Sequence, residues 1–307
     1  MKAQEEPTLP FPIQVPNLQY QNQKVYTALW LIDIYSFDYK TGSYTFDFYT
    51  RFFWVDPNIK SIEWYIQNGY PAYPGAKQLV AFSYNDTVKW ELYRTRATLD
   101  VTVETKDYPF DQIRLPISIE LLTNASEVSV VWVQNQTGIG SGYDNVGWTT
   151  PSFELTTPIN HNDLGFDSPS ADFIVIQNRL LYTALLETIL PPLIFAIVGL
   201  SSFLFEMYES NAFSLRIGIN TSMLITAVLF NIAEQTNLPP MTKLTFYDVF
   251  ISSVIAFLAA SLVVTVLGYV NWMHHGDKKR VDAINRWGLV VSIAIPLVLF
   301  LVWFAIK

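Results

Sequence analysis

The 307-residue sequence contains no cysteine, only 3 histidines and only 15% charged residues. Without cysteine there can be no disulfide scaffold, thiolate zinc site or thiol nucleophile. A soluble enzyme carries about 25% charged residues, so the shortage of charge has to be explained by where the apolar residues lie. The sequence has no nucleophile elbow, metal-ligand spacing or phosphate-binding loop, so neither an enzyme nor a cofactor or metal is expected. It also lacks a basic run, and a net charge of −8 argues against nucleic acid as a partner. No internal repeat or low-complexity tract is present.

What the chain does have is uneven. Residues 1–180 carry 20 Asp and Glu against 12 Lys and Arg, while residues 181–307 carry 7 of each, so the whole excess of −8 belongs to the first part. The second part holds four apolar segments, Thr183 to Phe205, Ser214 to Thr236, Phe246 to Val270 and Ile284 to Ile306. Each exceeds the roughly 20 helical residues that cross a hydrocarbon core of about 30 Å. Lys278, Lys279 and Arg280 lie in the short connection between the last two, and positive residues in short loops mark the cytoplasmic side. The spacing therefore predicts a multi-pass inner-membrane protein with residues 1–181 outside the cytoplasm and residues 182–307 in the membrane. Met1-Lys2-Ala3-Gln4-Glu5-Glu6-Pro7 has no apolar core, so export is expected to have used a leader that was removed.

The outer part alternates aromatic, β-branched and polar residues between turn formers, which is strand patterning. Strands are expected at Val25 to Phe37, Tyr44 to Val55, Leu79 to Tyr84, Thr87 to Arg94, Ala97 to Thr105, Ile113 to Leu122, Val128 to Val133, Phe153 to Thr156 and Phe173 to Leu181, with Asp38 to Ser43 as the first turn. Pro158 to Ala171 reads as a long polar loop. The fold class is α+β: an immunoglobulin-like β-sandwich followed by a four-helix transmembrane bundle.

Several motifs follow one another in a telling order. Asp107-Tyr108-Pro109-Phe110-Asp111 lies between Val101 and Leu115, Trp54-Val55-Asp56-Pro57 precedes it, Arg179, Tyr182 and Pro191 open the first membrane segment, and Thr236-Asn237-Leu238-Pro239 closes the second. The chain resembles the bacterial pentameric ligand-gated ion channels, prokaryotic relatives of the nicotinic, glycine and GABA receptors, over essentially its whole length. The Asp107 to Asp111 stretch is similar to the family's signature loop, with Val101 and Leu115 where other members have paired cysteines. The resemblance implies a homopentamer in membrane lipid, conducting monovalent ions.

The second membrane segment points to a pore on physical grounds. On a helix, Ser214, Gly218, Ser222, Ile225, Leu229 and Ile232 form one stripe at steps of four and three, small or polar below and bulky above. Around a central axis this is a hydrated lower pore beneath a dewetting constriction, with the gate at Ile225, Leu229 and Ile232. No acid stands at the inner mouth, where Ser214 replaces the Glu of some relatives and Arg216 stands where the family commonly has a base pointing away from the lumen. Glu206, Glu209 and Glu234 are the selectivity candidates, and the acidic outer part favours cations by field focusing.

For the agonist, the resemblance implies a box between subunits built from Tyr49, Arg51, Tyr70 or Tyr73, Trp148 and Phe166. Aromatic walls suit an amine and Arg51 suits a carboxylate, so both remain open. Protons are the alternative trigger, with His161, His274 and His275 as titratable groups. Asp38, Asp111 and Arg179, with Pro109 and Pro239 beside them, are expected to couple the outer part to the membrane. The competing reading is a membrane-anchored extracellular binding protein that does not conduct.

Overall fold

The computed structural model describes residues 21, 23–84, 87–140, 147–161, 167–238 and 244–306. The first strands are β1 (Lys24–Asp38), β2 (Ser43–Trp54), β3 (Trp64–Ile66), β4 (Gly69–Pro71), β5 (Lys77–Ser83) and β6 (Lys89–Asp100). They are followed by β7 (Gln112–Leu121), β8 (Ser129–Trp132), β9 (Gly138–Ile139), β10 (Ser152–Thr156), β11 (Ile159–His161) and β12 (Asp167–Asn178). One sheet runs β4-β6-β2-β1-β8, with β5 on β6 and β9 on β1; the other runs β10-β12-β7-β3, with β11 on β12.

The strand alternation explains why the two sheets face each other. Phe46, Phe48, Phe52 and Trp54 of β2 meet Leu115, Ile117 and Ile119 of β7 and Phe173 and Val175 of β12 in one buried cluster. Burying each such side chain contributes about 1.5–3 kcal/mol. The turn from β1 to β2 depends on Gly42, whose φ of 70° is left-handed. A Cβ there would stand 2.0 Å from the Val101 carbonyl oxygen, so no other residue fits without moving the backbone.

Three details differ from the sequence reading. The separate strands expected at Thr87 to Arg94 and Ala97 to Thr105 are one strand, β6. Its polar Arg94-Thr95-Arg96 run does not break it, because both arginines bond the buried Asp47 across the sheet, at 2.8 and 3.3 Å. Pro158 to Ala171 is not all loop: Ile159, Asn160 and His161 pair with Pro169, Ser168 and Asp167. The three-residue strands β3 and β4 and the two-residue β9 are too short to show a period.

Among the described residues, four helices long and apolar enough to cross a membrane follow, α1 (Leu181–Leu204), α2 (Ser210–Asn237), α3 (Phe246–His275) and α4 (Lys278–Ile306). Within α1, Ala184–Ile189 is π-helical and runs into Pro191 and Pro192. Prolines have no N–H to continue the usual ladder, and a wide turn takes up the mismatch. A capping box starts α3: Asp248 N–H donates to the Thr245 hydroxyl at 3.1 Å, and Thr245 N–H donates to the Asp248 carboxylate at 2.9 Å. Gly276, left-handed at φ 60°, ends it. Asp277 then accepts from the Lys279 and Arg280 N–H groups to start α4. The chain is thus an α+β multi-pass membrane protein, a β-sandwich followed by a four-helix bundle.

Candidate pore face and gating junction

Helix α2 has two unlike faces. Arg216, Asn220 and Ala227 are buried at 0% exposure, and Met223, Leu224 and Phe230 pack partly buried against neighbouring clusters. Arg216 crosses the bundle on that face: its Nε donates to Thr265 at 2.7 Å on α3, and one Nη donates to Asn285 at 2.8 Å on α4. Ser202 and Ser261 donate to the Asn220 side-chain oxygen, each at 3.2 Å. A guanidinium inside an apolar bundle is tolerable only with such partners, and here they fix the rotation of α2.

On the other face Ser214, Gly218, Ser222, Ile225, Leu229 and Ile232 are all exposed within the single chain. Among the described residues, nothing outside its own helix lies within 4 Å of where a Gly218 Cβ would stand. Of the selectivity candidates, Glu206 and Glu209 are exposed. Glu234 is half-buried and accepts a hydrogen bond from the Tyr108 hydroxyl at 2.9 Å.

At the foot of the sandwich Asp111 is 2% exposed and accepts from Arg179 Nε at 2.9 Å on one oxygen and from the Tyr39 hydroxyl at 2.7 Å on the other. Arg179 N–H also donates to the Asp111 carbonyl. The guanidinium stands 4.7, 5.1 and 5.2 Å from the ring centres of Trp148, Tyr108 and Tyr39. Burial opposes its charge, but the hydrogen bond and charge of Asp111 outweigh burial and hold Arg179 above its ordinary pKa. Burial, then the Asp111 charge, keeps Tyr39 protonated far above the usual phenol range. The ring of Phe110 meets Phe246 of α3 at 5.7 Å, and Pro109 follows a cis peptide bond in the same loop.

One expectation needs correction. Asp38 does not join Arg179: it is exposed and accepts from the Lys40 and Thr41 N–H groups of its own turn. The neighbouring Tyr39 supplies the contact instead. Trp148, expected in the box between subunits, has its backbone bridged to Arg179 and its ring packed on Phe37 and Tyr39 at 6.3 and 6.4 Å. Tyr49 and Arg51 are buried on β2, with Arg51 donating to Gln136 at 2.8 Å, while Tyr70 and Tyr73 are exposed at and after β4. One chain therefore does not bring these aromatics together. Phe166 and Pro239 lie outside the described residues. His274 and His275 are exposed at the end of α3, and His161 is in β11.

Tyr39 and Tyr108 were missed because charge was the guide to the junction. The one available signal was their position, Tyr39 beside the first turn's acid and Tyr108 inside the signature loop.

A sandwich joined through an ion pair and an aromatic cluster to a four-helix membrane bundle, one helix of which keeps a full-length face unused, is the architecture of a membrane receptor or channel. No family model matches the chain. It is similar to a protein of Gloeobacter violaceus named proton-gated ion channel, with 23% identity over 300 residues, 90% of this chain and 80% of that one. The resemblance to the bacterial pentameric ligand-gated ion channels read from the motifs thus holds across the chain, and it is a resemblance to a channel, not to an enzyme.

Proposed function

We propose that the protein is a pentameric, cation-selective ion channel of the inner membrane, with its sandwich outside the cytoplasm and α2 lining the pore. The observation that carries this is the exposed stripe from Ser214 to Ile232. The chain turns the polar back of α2, with Arg216 and Asn220, into its own bundle and leaves the opposite face unpacked along the whole helix. Five such faces around an axis form a lumen, polar at Ser214, Gly218 and Ser222 and closed by dewetting at Ile225, Leu229 and Ile232. The Lys278, Lys279 and Arg280 cluster supports the orientation. The acidic sandwich favours cations at the outer entrance, and Glu206 and Glu209 are the acids at the inner end.

Protons are the better supported trigger. The relative is named for proton gating, and Trp148, which the amine box needs, is committed to the junction with Arg179. A small amine or carboxylate bound between subunits is the second reading, kept by Tyr49 and Arg51 on β2. Purified protein in planar bilayers tests both. Currents that open as pH is stepped, with a reversal potential following the cation gradient, are expected. Currents that follow chloride would refute cation selectivity, and silence at every pH and with every amine or carboxylate would favour the anchored, non-conducting reading.

A further inference from the structure

We propose that Glu234 is a positioning residue through which the signature loop holds α2, and that it takes no part in ion selectivity. This role rests on the channel reading above.

The helix phase separates Glu234 from the exposed stripe. Gly218, Ile225 and Ile232 follow one another at sevens, and so do Asn220, Ala227 and Glu234. At about 100° per residue, Glu234 lies nine residues and half a revolution from Ile225. It continues the buried face on which Asn220 and Ala227 are fully enclosed. A carboxylate on that side cannot line a lumen bounded by the opposite side.

What meets Glu234 there is the outer part of the molecule. Tyr108 is 5% exposed and clusters with Leu238, Tyr247 and Ile251. Its hydroxyl donates to Glu234 of α2 at 2.9 Å and lies 3.5 Å from the Thr188 hydroxyl in the π-helical stretch of α1. Its carbonyl accepts from the Tyr247 N–H of α3 at 3.3 Å, and the two rings meet edge to face at 5.8 Å. One loop residue thereby touches the three helices α1, α2 and α3. Among the described residues its polar link with α2 is the bond to Glu234, and it is charge-assisted, a class about twice as strong as a neutral hydrogen bond.

Tyr108 also connects Glu234 to the ion pair above. Arg179, bonded to Asp111, stands 5.1 Å from the Tyr108 ring, and Tyr39, bonded to the other Asp111 oxygen, stands 6.3 Å from it. Burial, with the Glu234 charge adding to it, holds the Tyr108 hydroxyl above the ordinary phenol range. It therefore stays a donor throughout the working range, and any movement of the sandwich base is passed to α2 through this bond.

The test uses full-length protein in planar bilayers, comparing wild type with Glu234→Gln, Glu234→Asp, Tyr108→Phe and the Glu234→Gln, Tyr108→Phe double variant, all checked for intact assembly by size-exclusion chromatography. Each single change is expected to shift the half-maximal stimulus about tenfold, and the double variant is expected to shift it no further than either single. Glu234→Asp, which keeps the charge but shortens the reach, is expected to behave like Glu234→Gln. Reversal potentials in asymmetric salt are expected to be unchanged. Additive shifts, or a changed reversal potential in Glu234→Gln that Glu234→Asp restores, would overturn the role while leaving the channel reading intact. A silent wild type would overturn the channel reading and this role with it.

Discussion

Replacing Arg179 with Ala would leave Asp111 buried, 2% exposed, with the Tyr39 hydroxyl as its remaining side-chain donor among the described residues. Removing one member of a buried ion pair costs about 3–5 kcal/mol, because the partner's charge stays desolvated without compensation. Loss of the cation over Trp148 at 4.7 Å adds about 0.5–1 kcal/mol. A penalty near 4 kcal/mol corresponds to a fall of about 10 °C in the unfolding midpoint for a domain of this size. The pair predicts an asymmetry as well. Combining Arg179→Gln with Asp111→Asn removes both charges together and should recover much of the loss, since no charge is then orphaned. Thermal unfolding of the detergent-solubilised protein, with assembly followed by size-exclusion chromatography, reads both effects. A midpoint for Arg179→Ala within about 2 °C of wild type, or a double variant no better than the single, would refute the claim that this pair fastens the sandwich to the membrane helices. An Arg179→Lys variant that assembles but no longer opens would assign the pair to gating as well as to fastening.

Further outcomes follow from single positions. Leu229→Ser places a hydroxyl in the expected constriction, so channels should leak without stimulus or open at a lower one; unchanged resting current and sensitivity would count against the gate. Burial, partly offset by Glu91 and Glu63, pushes the Lys77 ammonium down to about 8, while its Nζ lies 3.8 Å over the Trp64 ring. The folded protein therefore releases this proton more readily than the unfolded chain, whose lysine titrates near 10.4. Stability should rise with pH through that window, so the stability of wild type relative to Lys77→Met should grow between pH 7 and pH 10, and a flat or falling difference would contradict the assignment. Gly288 lets α4 approach α3, since a Cβ there would come 2.2 Å from Val264. Gly288→Ala should cost about 1–3 kcal/mol by overpacking, read as a lower unfolding midpoint.

How much of this was legible in the sequence depended on the range of the signal. The four spans are written as uninterrupted apolar length, which the bilayer requires, and Ser214 to Ile232 as a helical period, so both could be read without the fold. Asp111 and Arg179 could be found because the resemblance places a charged cluster at the junction, whereas Asp38, expected there on the same ground, bonds its own turn. The position of Trp148 could not be read, because an aromatic in a β-sandwich loop looks the same whether it lines a ligand box or covers an ion pair. Glu234 is a similar case. Its place at the end of α2 suggests an interfacial charge, and only the chain trace that brings Tyr108 down onto α1, α2 and α3 shows what it bonds. Polar runs such as Arg94 to Arg96 mislead for a related reason, since the carboxylate that keeps them in a strand, Asp47, is 47 positions from Arg94.

The absence of cysteine makes the central claim directly measurable, because any thiol introduced is the only one in the protein. Ser222→Cys, Leu229→Cys and Ala227→Cys variants, each exposed to a charged thiol reagent while current flows, compare the two faces of α2. The account predicts that current is blocked irreversibly at Ser222→Cys and Leu229→Cys and is untouched at Ala227→Cys. Block at Ala227→Cys with none at the other two would show that α2 presents its opposite side to the ions, and would contradict the proposed pore.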